Sequence, residues 1–300
     1  MNTFIMCVGL PSSGKSTWSN SQTGYIVHSS DALRKELYGD ENYQDKNGEL
    51  FQELHKRIRN DLGKGKNVIL DATNISYKRR MEFLRQINYI KCNRVCYLFA
   101  TPYEDCVKRD SDRERSVGEE VIKRMYKNFY IPQKYEGWDD INIIWNYDEH
   151  DFDSIKYFWE LDEIKQDNPH HTLSIGNHCD KCARMLLKIS NTDVTNKNYI
   201  LECAAQFHDI GKKFTKEFNE KKGYCTYYQH HLTGAYDSLF YLDEIGWRDD
   251  DILKITNYIQ WHMQPFFIKE DKTKYKFIKL VGEEFYNNLM LLHEADKLAK

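Results

Sequence analysis

Short apolar runs and longer polar stretches alternate along the first hundred residues of the chain. The apolar runs are rich in β-branched residues and predict strands at 3–10, 25–30, 67–72 and 93–100. The stretches between them predict helices that begin near Lys15 and Asp31 and that cover 48–62, 77–87 and 103–110. Strands that alternate with helices are typical of a parallel sheet covered by helices. We therefore predict an α/β domain, with a last strand or packing segment at 141–147.

Helical spacing dominates the second half of the chain. Strand signals nearly cease after residue 117, and from His178 to Lys300 the apolar positions recur mainly at helical intervals. An acidic, aromatic stretch separates the two patterns. Since 300 residues are enough for two typical domains, we predict an α/β domain at 1–150, a linker at 151–166 and an all-α domain at 167–300.

Composition and charge exclude some classes of protein. Hydrophobic residues make up 41% of the chain and charged residues 30%, which predicts a soluble globular protein with an ordinary core. The formal net charge is −3, so any nucleic-acid binding must depend on local basic groups. No stretch approaches the roughly 20 apolar residues of a membrane span. The first ten residues have no basic region or cleavage site, so we expect a buried strand there rather than a signal peptide.

The eight cysteines are scattered, and several lie inside apolar runs. This distribution favours small core residues in a reducing cytoplasm over a disulfide framework. Cys179 and Cys182 form a single CxxC pair on a predicted helix. A structural zinc site needs four ligands, so a metal or redox role is the weaker interpretation of this pair.

A phosphate-binding motif follows the first predicted strand. The segment GLPSSGKST matches G-x-x-x-x-G-K-[ST], and it lies after an apolar strand and before a helix, as a P-loop requires. Its glycines let backbone amides converge on phosphate oxygens. Lys15 can reach the β- and γ-phosphates of ATP, and the Ser16 hydroxyl can hold Mg²⁺. The predicted ATP-binding residues are Gly9, Ser12, Ser13, Gly14, Lys15, Ser16 and Thr17.

Asp31 follows the second strand and precedes a helix. Its carboxylate should therefore lie at the carboxyl end of that strand, where such folds bind their ligands. A carboxylate beside the phosphates can accept a proton from an attacking hydroxyl. The alternative is that Asp31 caps its own helix, and the two roles are compatible.

The order of further motifs resembles the kinase domain of bacteriophage-type polynucleotide 5′-kinases over about residues 1–140. Asp31-Ala-Leu-Arg34 follows the P-loop, and a strand ends in Asp71-Ala-Thr-Asn74 ahead of the basic run 78–80. The stretch 107–113, with the helix that follows at 121–126, looks like the lid of that family. The basic run is as compatible with a solvated helix face as with substrate binding.

The kinase resemblance implies roles for individual residues. Asp31 would be the general base on the 5′-hydroxyl, and Arg34 would contact a neighbouring phosphate of the acceptor. Arg113 would stabilise charge on the transferring phosphoryl group, with Arg109 as a helper that also contacts ATP. Three roles stay open for Asp71: orienting Arg34, holding a metal-bound water, or capping the turn.

Histidines and aspartates recur at separated points of the second half. The series is His178, His208, Asp209, His230, His262 and Asp296. Imidazoles and carboxylates contributed by several helices can close the shell of a metal ion. A single histidine would more often be structural, but an ordered series with an adjacent His-Asp pair at its centre predicts a metal site.

This second half resembles the HD-domain metal-dependent phosphohydrolases over about residues 167–300. Phe207-His208-Asp209-Ile-Gly-Lys212 is similar to the central motif of the family, and the segments 168–171 and 177–178 look like the opening helix of HD domains attached to tRNA nucleotidyltransferases. The segments 230–235 and 261–263 match its later histidines, and 293–299 matches its closing aspartate.

The HD resemblance implies a set of metal ligands. His178, His208, Asp209 and Asp296 would hold one metal, and His230 and His262 would hold a second or contact the substrate phosphate. Lys212 would bind phosphate or be a solvated lysine, and His171 and His231 have no assigned role. The chain ends four residues after Asp296, so either other packing caps the last helix or the native chain extends further.

Two phosphate chemistries on one chain suggest the healing of nucleic-acid ends. The leading hypothesis is a cytoplasmic bifunctional enzyme that acts on RNA ends more than on DNA ends. Its kinase would add a 5′-phosphate with ATP and Mg²⁺, and its HD domain would remove a 3′-phosphate or 2′,3′-cyclic phosphate with Mn²⁺, Ni²⁺ or Co²⁺. A separate ligase would seal the ends, and no membrane would be involved.

Two alternatives stay open. One is a kinase for a nucleoside or nucleotide joined to a nucleotide phosphohydrolase. The other is a non-catalytic nucleotide-binding switch or partner-binding protein, which the intact Lys15 and Asp31 and the full ligand series disfavour.

Overall fold

The computed structural model of the chain describes residues 1–41, 43, 45–148, 152–169, 171–190 and 198–300. Two units are present: the first is Met1–Met125 with Pro132–Tyr147, and the second is Tyr126–Ile131 with Asp148–Lys300. The short segment 126–131 therefore lies in the second unit, although the sequence pattern placed it in the first domain.

A parallel sheet forms the centre of the first unit. Its strands are β1 (Asn2–Val8), β2 (Tyr25–Ser29), β3 (Asn67–Asp71), β4 (Cys92–Ala100) and β5 (Asp140–Trp145). They pair in the order β2-β3-β1-β4-β5, and every pairing is parallel. The segment predicted as a strand or packing segment is thus a strand, with Ile141 opposite Cys96. The predicted α/β fold of this half is confirmed.

Strand β1 is apolar and buried on both of its faces, since Phe4 to Val8 are all buried. Ile5 and Cys7 of β1 pack with Ile69 of β3 and with Val95 and Phe99 of β4. A strand with helices over both faces buries consecutive residues instead of alternate ones. The strand order places β1 between β3 and β4, so the connection after β1 runs towards β2 on one side, while the connection after its neighbour β3 runs towards β4 on the other side. Such switch points bind ligands in open α/β sheets.

Helices of the first unit cover the sheet. They are α1 (Lys15–Ser21), α2 (Ser30–Tyr38), α3 (Asn47–Gly63), α4 (Tyr77–Gln86), α5 (Tyr103–Ser111) and α6 (Glu119–Tyr126), whose last residue already belongs to the second unit. Ser29, and not Asp31, is the N-cap of α2, because the Ser29 hydroxyl accepts a hydrogen bond from the amide of Ala32 at 3.4 Å. Asp31 lies in the first turn, where its carboxylate contacts other side chains.

One member of the basic run 78–80 is a core residue. Arg80 is 1% exposed, and its Nε and Nη2 donate to Glu136 at 2.7 and 2.6 Å. Its Nη1 donates to the carbonyl of Asn74 at 2.9 Å, and the indole of Trp138 donates to Glu136 at 3.2 Å. Lys78 and Arg79 are exposed. Arg80 is therefore neither part of a solvated helix face nor a substrate-binding residue. It connects α4 to the segment before β5 through its hydrogen bonds to Glu136.

Replacing Arg80 with methionine should lower the free energy of unfolding of the first unit by about 3–5 kcal/mol, because Glu136 would stay buried without its partner. Urea unfolding measures this free energy. The transition of the first unit is the one that moves to higher urea concentration when ATP is added, because a ligand stabilises only the unit that binds it. Arg79→Met is the matched control and should change the stability by less than about 0.5 kcal/mol. A loss below about 1 kcal/mol for Arg80→Met would contradict the buried-pair account.

The second unit is mainly helical. Its helices are α7 (Ser154–Glu163), α8 (Ile175–Ile189), α9 (Tyr199–Phe207), α10 (Lys212–Thr215), α11 (His230–Glu244), α12 (Asp249–Trp261), α13 (Asp271–Val281) and α14 (Glu283–Leu298). Helix α9 packs against α8, α11, α12 and α14. The predicted linker 151–166 contains α7, which packs on α8 within the same unit.

A small hairpin interrupts the helices of the second unit. It consists of β6 (Glu217–Asn219) and β7 (Tyr224–Thr226), paired antiparallel. The sequence pattern did not predict it, because strands of three residues are too short to show an alternation. All eight cysteines are buried and none forms a disulfide. Within the described ranges, no helix has both the length and the apolar character needed to cross a bilayer.

Candidate active sites

The loop between β1 and α1 has the backbone that its sequence predicts. Gly14 has a φ of 92° and Ser12 a φ of 62°, both in the left-handed region. A side chain at Gly9 would place Cβ 2.6 Å from Ser13 Oγ and 3.0 Å from Phe99 Cβ. Glycine is therefore required at position 9 for the loop to pass this close to β4.

Lys15 and Ser16 begin α1 from this loop. The buried Lys15 ammonium donates to the carbonyl of Leu10 at 2.5 Å and to Ser13 Oγ at 3.1 Å. Burial lowers the pKa of Lys15, and the neighbouring Asp71 carboxylate opposes that shift. Ser16 Oγ donates to Asp71 Oδ2 at 2.7 Å. The contact with Ser16 agrees with one of the three roles considered for Asp71, the holding of a metal-bound water.

Asp31 lies between two arginines. Its Oδ1 accepts from Arg34 Nη1 at 2.6 Å, and its Oδ2 lies 3.4 Å from Arg115 Nη1. Arg34 is buried and donates a second bond, to Asn47 Oδ1 at 3.0 Å. Arg115 also contacts Glu41, at 3.2 Å to the carboxylate. The kinase resemblance assigned Arg34 to a phosphate of the acceptor and predicted neither its contact with Asp31 nor that of Arg115.

Arg113 is exposed in the turn after α5. Among the described residues, the arginines that form ion pairs with Asp31 are Arg34 and Arg115, and Arg113 is not one of them. Arg115, which reaches the Asp31 carboxylate, lies two residues beyond the stretch 107–113 that was likened to a lid. Sequence spacing could not distinguish these two arginines, because the turn at 112–118 is irregular.

A cavity of about 480 Å³ opens between the end of α2 and this turn. Its lining residues are Lys35, Gly39, Asp40, Glu41, Glu114, Arg115 and Ser116. It is large enough for a small ligand or for the end of a polymer. Arg115 lines this cavity and also contacts Asp31, so the cavity adjoins the Asp31 carboxylate.

Arg109 is linked to the P-loop by hydrogen bonds through Asn146. Its Nη2 donates to the carbonyl of Asn146 at 3.2 Å, and Asn146 Nδ2 donates to the carbonyl of Ser13 at 3.1 Å. Asn146 follows β5 and was not a predicted site residue. No local motif marks it, since its position depends on the pairing of β5 with β4.

Asp110 is a third residue that the sequence reasoning missed. Its buried carboxylate accepts from Ser12 Oγ at 3.1 Å, from Ser116 Oγ at 2.6 Å and from the amides of Val117 and Gly118, each at 3.0 Å. Burial opposes ionisation, but these hydrogen bonds leave the pKa of Asp110 lowered. The carboxylate thereby connects the P-loop to the turn that carries Arg115.

The histidines and aspartates of the second unit converge from five elements. His178 lies on α8, His208 and Asp209 follow α9, His230 begins α11, His262 follows α12, and Asp296 lies near the end of α14. All six are buried. Their ligand atoms form two groups, each within 4.8 Å: His178, His208 and Asp296 in one, and Asp209, His230 and His262 in the other.

Asp209 lies between the two groups. Its Oδ2 is 3.4 Å from Nε2 of both His178 and His208. Its Oδ1 is 3.1 Å from Nε2 of His230 and 3.6 Å from Nε2 of His262. The sequence assigned Asp209 to the first group alone, whereas the structure turns one oxygen towards each. Such a carboxylate can bridge two cations.

Three of these histidines have the tautomer that a metal ligand needs. Nδ1 of His208, His230 and His262 lies 2.7 Å from the carbonyl of the residue three positions earlier. A carbonyl only accepts, so Nδ1 carries the proton and a neutral ring keeps its Nε2 lone pair. Nε2 of His230 and His262 are 3.0 Å apart, and two lone pairs at that distance repel unless a proton or a cation lies between them.

Charged groups surround the ligand atoms of this cluster. The buried carboxylates of Asp209 and Asp296 lie beside the Lys212 ammonium, whose Nζ is 2.5 Å from Asp209, and beside the His208 ring; burial lowers the pKa of His208, but the Asp209 carboxylate leaves it well above its usual value. Burial lowers the pKa of His262 to about 4, so its ring is neutral at physiological pH. Lys212 is 4% exposed, which excludes the solvated alternative. The donor set of imidazole nitrogens and carboxylate oxygens suits divalent transition metals.

Gly211 allows the central motif to meet α11. A Cβ at this position would lie 2.2 Å from the carbonyl of His230 and 2.4 Å from the amide of Gly234. No larger residue fits, so the glycine sets the distance between Asp209 and His230. The HDIGK pattern thus includes one residue needed for packing rather than for chemistry.

The two histidines without an assigned role lie at the border of the cluster. The ring of His171 is 5.1 Å from that of His178, and the ring of His231 is 6.2 Å from that of His262. Burial lowers their pKa values, to about 4 and about 2 respectively. Neither belongs to the two ligand groups. His170, within the motif 168–171, lies outside the described residues.

Adding Mn²⁺ or Ni²⁺ to the chelator-treated full chain should raise the melting temperature of the second unit. A cation at a hundred times its Kd stabilises the folded form by about 2.7 kcal/mol. His262→Gln should reduce the shift, because it removes one ligand of the second group and leaves the first group intact, whereas His231→Gln should retain the shift in full. Equal shifts in the two variants, or no shift with Mn²⁺, Ni²⁺ or Co²⁺, would contradict the metal assignment.

Comparison with known proteins supports a kinase in the amino-terminal part of the chain. A family described as an AAA domain matches residues 4–132. The L-seryl-tRNA(Sec) kinase of Methanococcus maripaludis is 29% identical over 185 residues, which cover 57% of this chain and 68% of that protein.

Two solved structures are more distant. A chain of a Pnkp1/Rnl/Hen1 complex is 24% identical, with a TM-score of 0.33, over 36% of this chain and 38% of that one. A putative kinase from Chloroflexus aurantiacus is 15% identical, with a TM-score of 0.41, over 51% of this chain and 92% of that one. This chain therefore spans under two fifths of the length of the complex chain. Scores this low bear on neither substrate nor partner, and the sequence matches support a P-loop kinase at residues 4–132.

Proposed function

We propose that this chain heals nucleic-acid ends, with a 5′-hydroxyl kinase in the first unit and a 3′-phosphate or 2′,3′-cyclic phosphate hydrolase in the second. The observation that carries the proposal is the pair of candidate sites, one in each unit: the P-loop with Asp31, and the buried cluster around Asp209. RNA is the preferred substrate in this proposal, and a separate ligase would join the healed ends.

In the kinase, Asp31 would accept the proton of the 5′-hydroxyl while that oxygen attacks the γ-phosphorus of ATP. The bond between the γ-phosphorus and the bridging oxygen breaks, and ADP leaves. Lys15 and the loop amides would hold the phosphates, and Thr17, which is exposed in the first turn of α1, would lie beside them. A magnesium ion held by Ser16 would offset phosphate charge.

Arginines surround the proposed acceptor. Arg34 donates to Asp31 at 2.6 Å, and in this proposal its guanidinium would also contact a phosphate next to the 5′ end. Arg115 would join Arg113 and Arg109 in stabilising charge on the transferring group. Cations aimed at developing negative charge supply much of the catalysis of phosphoryl transfer.

In the hydrolase, Asp209 and Asp296 and the four histidines would hold divalent cations. Such cations activate a water molecule and neutralise phosphate oxygens. Lys212, which donates to Gln166 Oε1 at 2.8 Å and contacts Asp209, would bind and orient the phosphate of the substrate. Release of a 3′-phosphate would leave a 3′-hydroxyl and inorganic phosphate.

The choice of acceptor tests the kinase half of the proposal. Values of kcat/KM are to be compared for a 5′-hydroxyl RNA oligomer and for free adenosine, with ATP and Mg²⁺. The proposal predicts a strong preference for the oligomer, because Arg34 would meet a phosphate that the nucleoside lacks. Equal values would favour a small-molecule kinase instead.

A further inference from the structure

The cavity of the second unit has an outer side that the metal cluster does not use. The cavity measures about 340 Å³, and its inner side carries Asp209, His230, His262 and Asp296. Its outer side is formed by the hairpin, the turn after it and the turn after α12. We call this the aromatic wall, and its residues are Lys222, Tyr224, Tyr228, Met263 and Phe266.

The aromatic wall exposes large ring surfaces beside a strongly polar site. Tyr228 is 62% exposed and Phe266 is 40% exposed. Side chains of this size are usually buried for the apolar area they cover. Two of them at the mouth of one cavity therefore suggest a flat ligand that covers them.

A cation lies within the same wall. The Lys222 ammonium is 5.9 Å from the centre of the Tyr224 ring and 5.6 Å from that of Tyr228, and it donates to the Tyr228 hydroxyl at 3.2 Å. These contacts hold the charge against the rings. Rings with an adjacent ammonium recognise a planar group that carries a nearby negative charge.

The hairpin that carries this wall is fixed to the rest of the unit. Asn168 Nδ2 donates to the carbonyl of Cys225 at 2.8 Å, and the amide of Cys225 donates to the carbonyl of Asp167 at 3.0 Å. The Tyr227 hydroxyl donates to the carbonyl of Gln166, whose side chain accepts from Lys212. The wall and Lys212 are thus held by the same loop, at a set separation.

We propose that the aromatic wall is a nucleobase-stacking subsite for the terminal nucleotide that bears the scissile phosphate. The base stacks on Tyr228 and Phe266, Lys222 contacts the phosphodiester that links this nucleotide to the next, and the terminal phosphate reaches Lys212 and the cluster. A cavity near the lower end of the range for ligand sites, roughly 300–1,000 Å³, takes one nucleotide and not a duplex. This proposal rests on the proposed hydrolase function and specifies its substrate.

Equilibrium binding to the full chain with its metals tests the subsite. The probe is a 5′-O-methyl uridine analogue in which a methylene group replaces the 3′ ester oxygen, so neither site can process it. Tyr228→Ala should weaken its binding about tenfold or more, as loss of one stacked base does, while Tyr228→Phe stays within about twofold of the parent. Inorganic phosphate should bind all variants alike. Tyr275→Ala, which removes a 69% exposed tyrosine on α13, is the matched control and should bind the probe like the parent.

Two outcomes would overturn the subsite: Tyr228→Ala binds the probe like the parent, or it loses inorganic phosphate to the same extent as the probe. Assaying release of phosphate from a 3′-phosphate RNA oligomer separates this failure from that of the proposed function. Release by the parent with no effect of Tyr228 on the probe would refute the subsite alone. Tyr228-dependent binding without release would refute the hydrolase and keep the subsite.

Discussion

Replacing Asp31 with asparagine is expected to lower the rate of 5′-phosphorylation by about 10²–10⁴-fold, the usual contribution of a general base. Asparagine has nearly the same shape and can still accept a hydrogen bond from Arg34, but it cannot take the proton of the attacking hydroxyl. ATP binds through the P-loop, so its affinity should change little. The measurements are kcat with a 5′-hydroxyl oligomer and the Kd of ATP.

A matched control distinguishes the loss of one negative charge from the loss of the general base. Asp112 is exposed at the end of α5, so Asp112→Asn removes the same charge from the same unit and should leave kcat nearly unchanged. A rate for Asp31→Asn within about fivefold of the parent would be too large for a lost general base. Asp31 would then have only a structural role at Arg34 and Arg115.

Replacing Asp209 with asparagine is expected to abolish the hydrolase, by more than about 100-fold, while the kinase keeps its rate. Loss of a group that merely orients a ligand costs about 10–100-fold, and Asp209 itself faces both ligand groups. The kinase should persist because its residues lie in the first unit. The measurement is release of phosphate from a 3′-phosphate oligomer, with 5′-phosphorylation assayed on the same preparation.

The second effect of this change is on stability. Lys212 is buried against Asp209, and a buried charge that loses its partner costs about 3–5 kcal/mol. Asp180→Asn, an exposed carboxylate on α8, should affect neither stability nor hydrolysis. If Asp209→Asn does not fold, His262→Gln tests the same site without leaving Lys212 unpaired. Full hydrolysis by a folded Asp209→Asn protein would refute the assignment.

Local patterns predicted those parts of the molecule that depend on neighbours in sequence. The apolar runs predicted the strands β1 to β4, and β1 and β3 are mostly buried, as central parallel strands are. The P-loop was predictable because its glycines and lysine act within one turn. The His-Asp series was predictable as a set, since each member is a chemically distinct ligand.

Features that depend on distant contacts were not predictable. Arg80 looks like part of a basic surface, and only the chain folding back at Glu136 buries it. Arg115 was not distinguished from Arg113 because an irregular turn has no period. Asp110 resembles any helical carboxylate, and its bonds to Ser12 and to the amides of the turn appear only in three dimensions. The bridging position of Asp209 likewise requires α11 and α12 to pack as they do.

The most direct test of the account uses one RNA oligomer with a 5′-hydroxyl and a 3′-phosphate, incubated with the full chain, ATP, Mg²⁺ and Mn²⁺. The account predicts a product with a 5′-phosphate and a 3′-hydroxyl, so that its mass is unchanged while end-group analysis shows the phosphate at the opposite end. Asp31→Asn should yield only the 3′ change, and Asp209→Asn only the 5′ change. An oligomer with both ends unaltered, under conditions in which free nucleosides are phosphorylated, would contradict the central claim.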